Sequence, residues 1–444
     1  MRRHRTQLAT AFRRDSLRNR EHGVVITLVA VFMLFVVGAM AALSIDLVTI
    51  YTARSEAQLA ADSAALAAAR ALANSGVTSD PNSLGDGLMT SAWTNVAQAV
   101  AQEVAEQNQV GGVRLNVGQI TLPASPGGTS TNPTVTITVQ VTNLPTFFAR
   151  IWGTKFTTVS ASATAEAYNP SGNGLAQTTI PVAPMCVKPW LLPNMDPSNG
   201  GNPIFSTTTG AINPGSNLLG WTSSNPVNGV PMTLACPGGN CSGTLPNPAA
   251  WQYYPGDTAT TFPPPSAYPD CAPAMTTAYE QSIAGCVQTP IACNSSTPLI
   301  DTSNYGFNRN RETERAVNCL THASANQGDQ VDPADANAPF QFLAGSDNPI
   351  AGLAGSDVMV SDSLVTVPVF NSTTGVAPTS PVQIVGFVQL FLNPNGVAVP
   401  GFGPNRGKVN TTVINMAGCG SVSFGQQPIL GNGASPVAVR LISP

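Results

Sequence analysis

An uncharged run of 23 residues, from position 23 to position 45, constrains this chain more than any other feature of its sequence. The run reads GVVITLVAVFMLFVVGAMAALSI without a proline, and about 20 such residues carry a helix across a bilayer. Seven Arg and only two acidic residues precede it, and Asp46 follows it. Since Arg-rich flanks stay in the cytoplasm, we predict a basic cytoplasmic arm (residues 1–22), a transmembrane helix (23–45) and an extracytoplasmic remainder.

Processing of this run is the alternative to a permanent anchor. Ala39 and Ala41 form the A-x-A pattern of a signal-peptide cleavage site, but the apolar segments of signal peptides are shorter, about 7–15 residues. A pilin-type cut after Gly23 would leave Leu28 where such sites usually carry Glu. We therefore expect an uncleaved helix, and we interpret the basic arm as an orientation signal rather than a nucleic-acid-binding tail.

Helical sequence continues beyond the apolar run. Residues 51–73 contain neither Gly nor Pro and are dominated by good helix formers, and Gly76 is a natural stop. The sequence thus predicts an Ala-rich stalk helix over residues 46–75. Small residues recur at every fourth position, a spacing that lets a second helix approach closely. They are Gly38 and Ala42 within the run, and Ala57, Ala61, Ala65, Ala69 and Ala73 beyond it.

The order of features over residues 20–75 resembles the N-terminal segment of the TadE/TadG-like family of Flp (tight-adherence) pilus-assembly proteins. In that family a Gly opens the helix, an Asp closes it, and a Q-x-A-A-D-A-A-A-L-A-like stretch follows. The residues that carry the motif and its helix-packing face are Gly23, Asp46, Gln58, Ala61, Asp62, Ala65, Leu66 and Ala69. The resemblance implies a single-pass protein of the bacterial inner membrane, whose body helps to assemble or anchor a pilus through contacts with other pilus-assembly proteins.

The residues after the stalk predict a small α+β module over positions 76–168. Residues 88–108 place apolar side chains on one helical face, and residues 134–142 alternate Val and Ile with Thr and Gln, the pattern of a half-buried strand. A second strand is predicted over residues 157–167. Between the strands, LPTFFARIWG (144–153) predicts a short apolar helix or turn, whose aromatic side chains we expect to pack on the sheet rather than enter lipid.

Residues 169–444 are rich in Pro, Gly and Asn and predict a loop- and β-rich body, so the fold class of the whole chain is α+β. Strands are predicted at 365–370, 382–392, 408–414 and 437–442. An even number of cysteines beyond the membrane suggests up to four disulfides, with the pairing left open among 105 possibilities. The cysteines are Cys186, Cys236, Cys241, Cys271, Cys286, Cys293, Cys319 and Cys419.

The chemistry of a catalyst is hard to find in this sequence. Charged residues make up only 9%, and no phosphate-binding loop sequence occurs. His322 is the sole histidine beyond the arm, and Asp329, Asp332 and Asp335 are expected to form turns rather than a calcium site. We therefore expect that the protein is not an enzyme and that it binds neither a cofactor nor a metal ion. The alternative function is a membrane-tethered binding or adhesion module, and the oligomeric state stays open.

Overall fold

The structure is a computed structural model, and it describes residues 7–172, 180–196, 199–213, 232–234, 252–256, 271, 274–293, 307–323, 326–331, 341–372, 381–419, 429–430 and 435–443. A long N-terminal helix precedes a strand-rich body with some helices, so the α+β prediction is confirmed. The chain divides into two compact units. Unit 1 consists of Met1–Ala60, Glu106–Ile120 and Val139–Ala161, and unit 2 of Ala61–Ala105, Thr121–Thr138 and Ser162–Pro444.

The first helix, α1, extends over Gln7–Asn74. The predicted continuation of the apolar helix into an Ala-rich stalk is confirmed. The helix ends at Asn74, before Gly76, whose φ of 81° lies in the left-handed region that favours glycine. The helix also begins inside the basic arm, so Gly23 lies within it and does not open it. The other helices are α2 (Leu88–Ala92), which continues through a π-turn at Trp93–Ala97 into α3 (Gln98–Glu106), α4 (Ala278–Ala284) and α5 (Phe307–Leu320).

Strands make up most of the remaining regular structure in the described ranges. They are β1 (Gln109–Val110), β2 (Val113–Arg114), β3 (Ile120–Thr121), β4 (Gly127–Gly128), β5 (Pro133–Pro145), β6 (Phe156–Tyr168), β7 (Val182–Ala183), β8 (Trp190–Pro193), β9 (Met232–Leu234), β10 (Tyr254–Pro255), β11 (Phe342–Leu343), β12 (Asp357–Val358), β13 (Leu364–Phe370), β14 (Ile384–Leu392), β15 (Val409–Gly418), β16 (Ile429–Leu430) and β17 (Ala438–Ser443). All six predicted strands occur. The alternation in β5 buries one face, as predicted, through Val135, Ile137, Val139 and Val141.

Unit 2 is built on a six-stranded sheet in the order β10-β8-β13-β14-β15-β9. Its central strands are buried on both faces. Helices α4 and α5 share an apolar cluster with the face of β13 that carries Val365 and Val367, whereas Phe370 and Phe387, on the opposite face, belong to a separate cluster. Trp190 of β8 and Tyr279 of α4 lie fully buried in the cluster that includes the two helices, and the indole Nε1 donates to the Tyr279 hydroxyl at 2.9 Å. Burial of large apolar surface on both faces of the sheet supplies most of the stabilisation.

A second sheet has the order β17-β6-β5-β3, with β4 paired to the free part of β5. The strand β17 runs antiparallel to β6, with Ala438 opposite Tyr168. A strand from the far end of the sequence therefore completes the sheet that residues 76–168 begin.

Buried polar side chains hold the end of α1 within unit 2. Asn415 of β15 donates through Nδ2 to the carbonyl of Ala73, in the last turn of the helix. Its Oδ1 accepts from the Ser79 hydroxyl, which in turn accepts from the backbone N–H of Met416 at 2.7 Å. Since unpaired polar groups are costly in an apolar core, this network fixes the exit of the helix in one arrangement.

Three disulfides join distant parts of unit 2. They pair Cys186 with Cys286, Cys271 with Cys319, and Cys293 with Cys419, over sequence separations of 100, 48 and 126 residues. Disulfide formation is thus confirmed for these six cysteines. The other two, Cys236 and Cys241, lie outside the described residues.

Candidate functional site

The apolar run of α1 is exposed along almost its whole length. Side chains from Val24 to Leu47 are mostly open, and Phe35 in the middle of the run is 72% exposed. Among the residues that the structure describes, Val24–Asn74 is the one helix long and apolar enough to cross a membrane. Burial begins near the end of the run, at Ala42 and Asp46.

Asp46, directly after the uncharged run, forms hydrogen bonds with a segment about a hundred residues further along the chain. Its side chain is only 3% exposed. One carboxylate oxygen accepts from the backbone N–H of Phe147 at 3.0 Å, and the other accepts from Phe148 at 3.0 Å and Ala149 at 2.6 Å. Three successive N–H groups that converge on one carboxylate form an anion-binding nest, and they lie at the N-terminal end of the short helix Ala149–Trp152.

The segment that receives Asp46 is the connection between β5 and β6, residues 146–153, which we call the 146–153 turn. The predicted short helix is present here as a 3₁₀ turn. Thr146 N–H donates to the carbonyl of Lys155 at 3.2 Å, and Thr154 N–H donates to the carbonyl of Ala149 at 3.2 Å, so the connection is closed on itself. Gly153 has a φ of 98°, which only glycine adopts without strain. The turn is therefore held both by its own backbone and by α1.

One aromatic side chain of this turn departs from expectation. Phe147 is 66% exposed, so the prediction that it packs on the sheet is wrong. The physical reason is that its backbone N–H is committed to Asp46 while its side chain has no covering segment in the described part of the chain. Phe156, which opens β6, is also exposed. Both residues belong to unit 1.

A second carboxylate of α1 fastens the β1–β2 hairpin in unit 1. Glu56 accepts from the backbone N–H of Gly111 at 2.7 Å. Gly111 has a φ of 62°, in the left-handed region that favours glycine, and a Cβ there would crowd the Leu144 side chain. An open groove of about 330 Å³ lies between these contacts, lined among others by Val48, Ala53, Leu144 and Phe147.

The alanine face of the stalk is covered by the same chain. Ala61, Ala65 and Ala69 are fully buried, as are most of the alanines between Ala57 and Ala73. Gln58, Asp62 and Leu66, the other motif residues of this stretch, are partly buried. A second protein can therefore reach the predicted packing face beyond residue 57 only if this fold opens. The small residues let segments of the same chain approach the helix closely.

Enlarging one of these alanines tests that packing. We expect Ala65→Leu to lower the free energy of unfolding by about 2 kcal/mol, because a fully buried site has no space for three more carbon atoms. Ala99→Leu is the matched control, since Ala99 lies exposed on α3 and the change should stay within about 0.5 kcal/mol. Thermal unfolding of the full chain in detergent, followed by circular dichroism, measures both. Equal midpoints for the two variants would contradict the buried packing.

His322 and Asp329, the candidates in the sequence for catalysis and calcium binding, form hydrogen bonds with neighbouring side chains. His322 lies 3.2 Å from Asp362, and this hydrogen bond raises the pKa of the imidazole above its ordinary value although partial burial opposes the rise. Asp329 is buried and accepts from Ser361 at 2.6 Å, from Gly345 N–H at 2.9 Å and from Asn348, the pattern of a turn-forming carboxylate. Asp332 and Asp335 lie outside the described residues. Within the described ranges, no three potential metal ligands lie close enough together to hold an ion.

The partners of Asp46 and Glu56 are not evident from the sequence. The glycine pair at positions 111–112 marks a turn, but nothing in it indicates a carboxylate ten residues beyond Asp46. The receiving groups at Phe147, Phe148 and Ala149 are backbone N–H groups, which every residue but proline has. Asp46 itself could have indicated such a site, because a carboxylate at the end of an apolar run needs hydrogen-bond donors when it is buried.

These features define a class of protein: an α+β chain with one long N-terminal helix, exposed and apolar in its first part and built into the fold in its second. Comparison with known families makes the assignment of the N-terminal segment more specific. Residues 23–71 match the family described as putative Flp pilus-assembly TadE/G-like, which confirms the resemblance inferred from the motif. No curated protein and no solved structure matches the chain. The match includes Gly23, Asp46 and the alanines of the stalk up to Ala71.

Proposed function

We propose that this protein is a membrane-anchored, non-enzymatic component of tight-adherence (Flp) pilus assembly that acts through protein contacts outside the cytoplasm. The match of residues 23–71 to the pilus-assembly family carries the proposal. The matched segment also contains Asp46 and Glu56, through which α1 holds both the 146–153 turn and the β1–β2 hairpin. The anchor and the fold outside it are thus joined within the matched residues.

Orientation and compartment follow from charge and cysteine chemistry. The Arg-rich arm before the run supports a cytoplasmic N-terminus, by the tendency of basic flanks to remain inside. Three disulfides in unit 2 support an oxidising location for the body, such as the periplasm. Together these observations support an inner-membrane protein whose body lies on the outer side.

The surface for partner contact within the membrane is the face of α1 that carries Gly38. A Cβ added to Gly38 meets nothing within 4 Å in the chain, so this small residue is not required by the fold of the protein itself. Glycine in an apolar helix lets a neighbouring helix approach closely enough for extended van der Waals contact. A second protein's transmembrane helix is the partner that this position suits.

Substitution of Gly38 in the source bacterium tests the proposal, with a deletion of the gene as reference. We expect both the deletion and Gly38→Ile to reduce surface pili, recovered by shearing and counted by electron microscopy, by at least about tenfold because a β-branched side chain blocks close helix approach. The amount of membrane-bound protein in the variant should stay at the wild-type level.

Val29→Phe is the control for added bulk. Val29 precedes Gly38 by nine residues and therefore lies on the opposite side of the helix, and its side chain is exposed as well. This variant should leave pili intact. Normal pili in the deletion strain would contradict a role in pilus assembly and favour the tethered binding module. Normal pili in Gly38→Ile alone would contradict partner contact at this face.

A further inference from the structure

The depth of Asp46 along α1 sets the level of the 146–153 turn. Asp46 directly follows the 23 uncharged residues, and three backbone N–H groups of the turn bind its carboxylate. A helix of 23 residues is about 35 Å long, close to the thickness of a hydrocarbon core of about 30 Å. When α1 crosses a bilayer, Asp46 lies at the boundary between hydrocarbon and water, and so does the turn that it holds.

The side chains exposed at this level suit a lipid boundary. Phe147 is 66% exposed, and Leu47 beside Asp46 is equally open. Arg150 in the turn and Lys155 just after it are exposed cations, which anionic headgroups attract. Tyr51, about one turn beyond Asp46, is 75% exposed, and Tyr is enriched at membrane interfaces. In water this cluster would leave large apolar surface uncovered.

We propose that the 146–153 turn lies in the headgroup region of the bilayer that α1 crosses, with the Phe147 side chain in contact with lipid. The inference rests on the proposed function in one respect, namely that α1 spans the membrane. The turn then forms a second membrane contact beside the helix. Because Asp46 joins the two, unit 1 has a defined height and tilt above the bilayer, which a single flexible tether would not impose.

Photo-crosslinking of the full chain, reconstituted in vesicles of phosphatidylethanolamine and phosphatidylglycerol, tests the contact. p-Benzoylphenylalanine is placed singly at Phe147, at Phe35 within the apolar run, or at Val113 in β2. Val113 is 67% exposed but lies two residues from Gly111, which binds Glu56 about 15 Å further along α1. All three positions are exposed, so each variant should fold like the wild type.

We expect phospholipid adducts, detected by intact mass, at positions 35 and 147, with a yield at 147 about fivefold above that at 113. Lipid adducts at 35 with no excess at 147 over 113 would overturn the inference while leaving the anchor in place. Protein adducts at 147 in place of lipid adducts would also overturn it and assign this surface to contact with a second copy of the chain. A lack of lipid adducts at 35 would contradict the anchor itself.

Discussion

Replacing Cys293 and Cys419 together by alanine should lower the free energy of unfolding of the full chain by about 4–5 kcal/mol. The two residues are 126 positions apart, so their disulfide removes much of the freedom of the unfolded chain. Both sulfurs lie in an apolar cluster with Phe387 and Ile384. Alanine is preferred to serine there, because a buried hydroxyl would add a polar desolvation penalty to the loss of the bond.

The Cys271–Cys319 disulfide provides the matched control, since it closes a shorter loop of 48 residues in the same unit. Its removal should cost about 0.9 kcal/mol less, by the logarithmic dependence of loop entropy on length. Urea unfolding in detergent gives the free energy of unfolding of both variants. It is followed by tryptophan fluorescence, to which the buried Trp93 and Trp190 contribute. A smaller loss for the longer loop would show that native-state packing, and not the unfolded chain, determines the contribution of these bonds.

The regular elements were predictable because each has a local pattern. The long helix follows from an apolar run and an Ala-rich continuation, and it ends where Gly76 adopts a positive φ. The strand β5 follows from the alternation of apolar and polar residues, and β14 from a run rich in β-branched and aromatic residues. Such patterns arise from the period of the backbone itself, so they can be read within windows of about 10–20 residues.

Pairings between distant segments were not predictable from the same patterns. An even number of cysteines indicates disulfides, but the choice among 105 pairings depends on which strands meet. The pairing of β17 with β6 could not be predicted either, because backbone hydrogen bonds between strands do not depend on which residues form them. The two compact units are each assembled from segments that are distant in the sequence, and no local pattern indicates which segments group together.

Only the acidic residue of the candidate site could be predicted from the sequence, and not the groups that bind it. The motif identified Asp46 as a special residue, whereas its partners at 147–149 are backbone groups about a hundred positions away. The exposed Phe147 contradicts a rule that assumes water on the outside of the fold, where large apolar side chains are usually covered. At the end of a helix that is apolar enough to cross a membrane, the surroundings need not be water, so this rule does not apply.

Removing the carboxylate of Asp46 should release the 146–153 turn. In Asp46→Ala the N–H groups of Phe147, Phe148 and Ala149 lose their common acceptor. We expect their hydrogen exchange to accelerate by at least about tenfold, because bonds to a charged acceptor are stronger than those to a neutral one. Trypsin should then cut faster after Arg150, which is exposed but held in the 3₁₀ turn. Both are measured on the full chain in detergent micelles.

Glu103→Ala is the control for loss of a carboxylate on a helix, since Glu103 is exposed on α3 in unit 2. Its exchange and cleavage pattern over residues 144–155 should match the wild type. Unchanged cleavage after Arg150 in Asp46→Ala would mean that the closed hairpin alone, through Thr146 and Thr154, maintains the turn.

Asp46→Asn separates hydrogen bonding from charge. Asparagine keeps one carbonyl oxygen for the three donors but removes the negative charge, and the uncharged stretch of α1 then continues to Ala53, before Arg54. If hydrogen bonds hold the turn, cleavage should rise from wild type through Asn to Ala. If the charge sets the depth of the helix, Asn and Ala should behave alike, because both allow α1 to sink further into the apolar interior of the micelle. We expect the graded order, since three convergent N–H groups already neutralise the carboxylate locally.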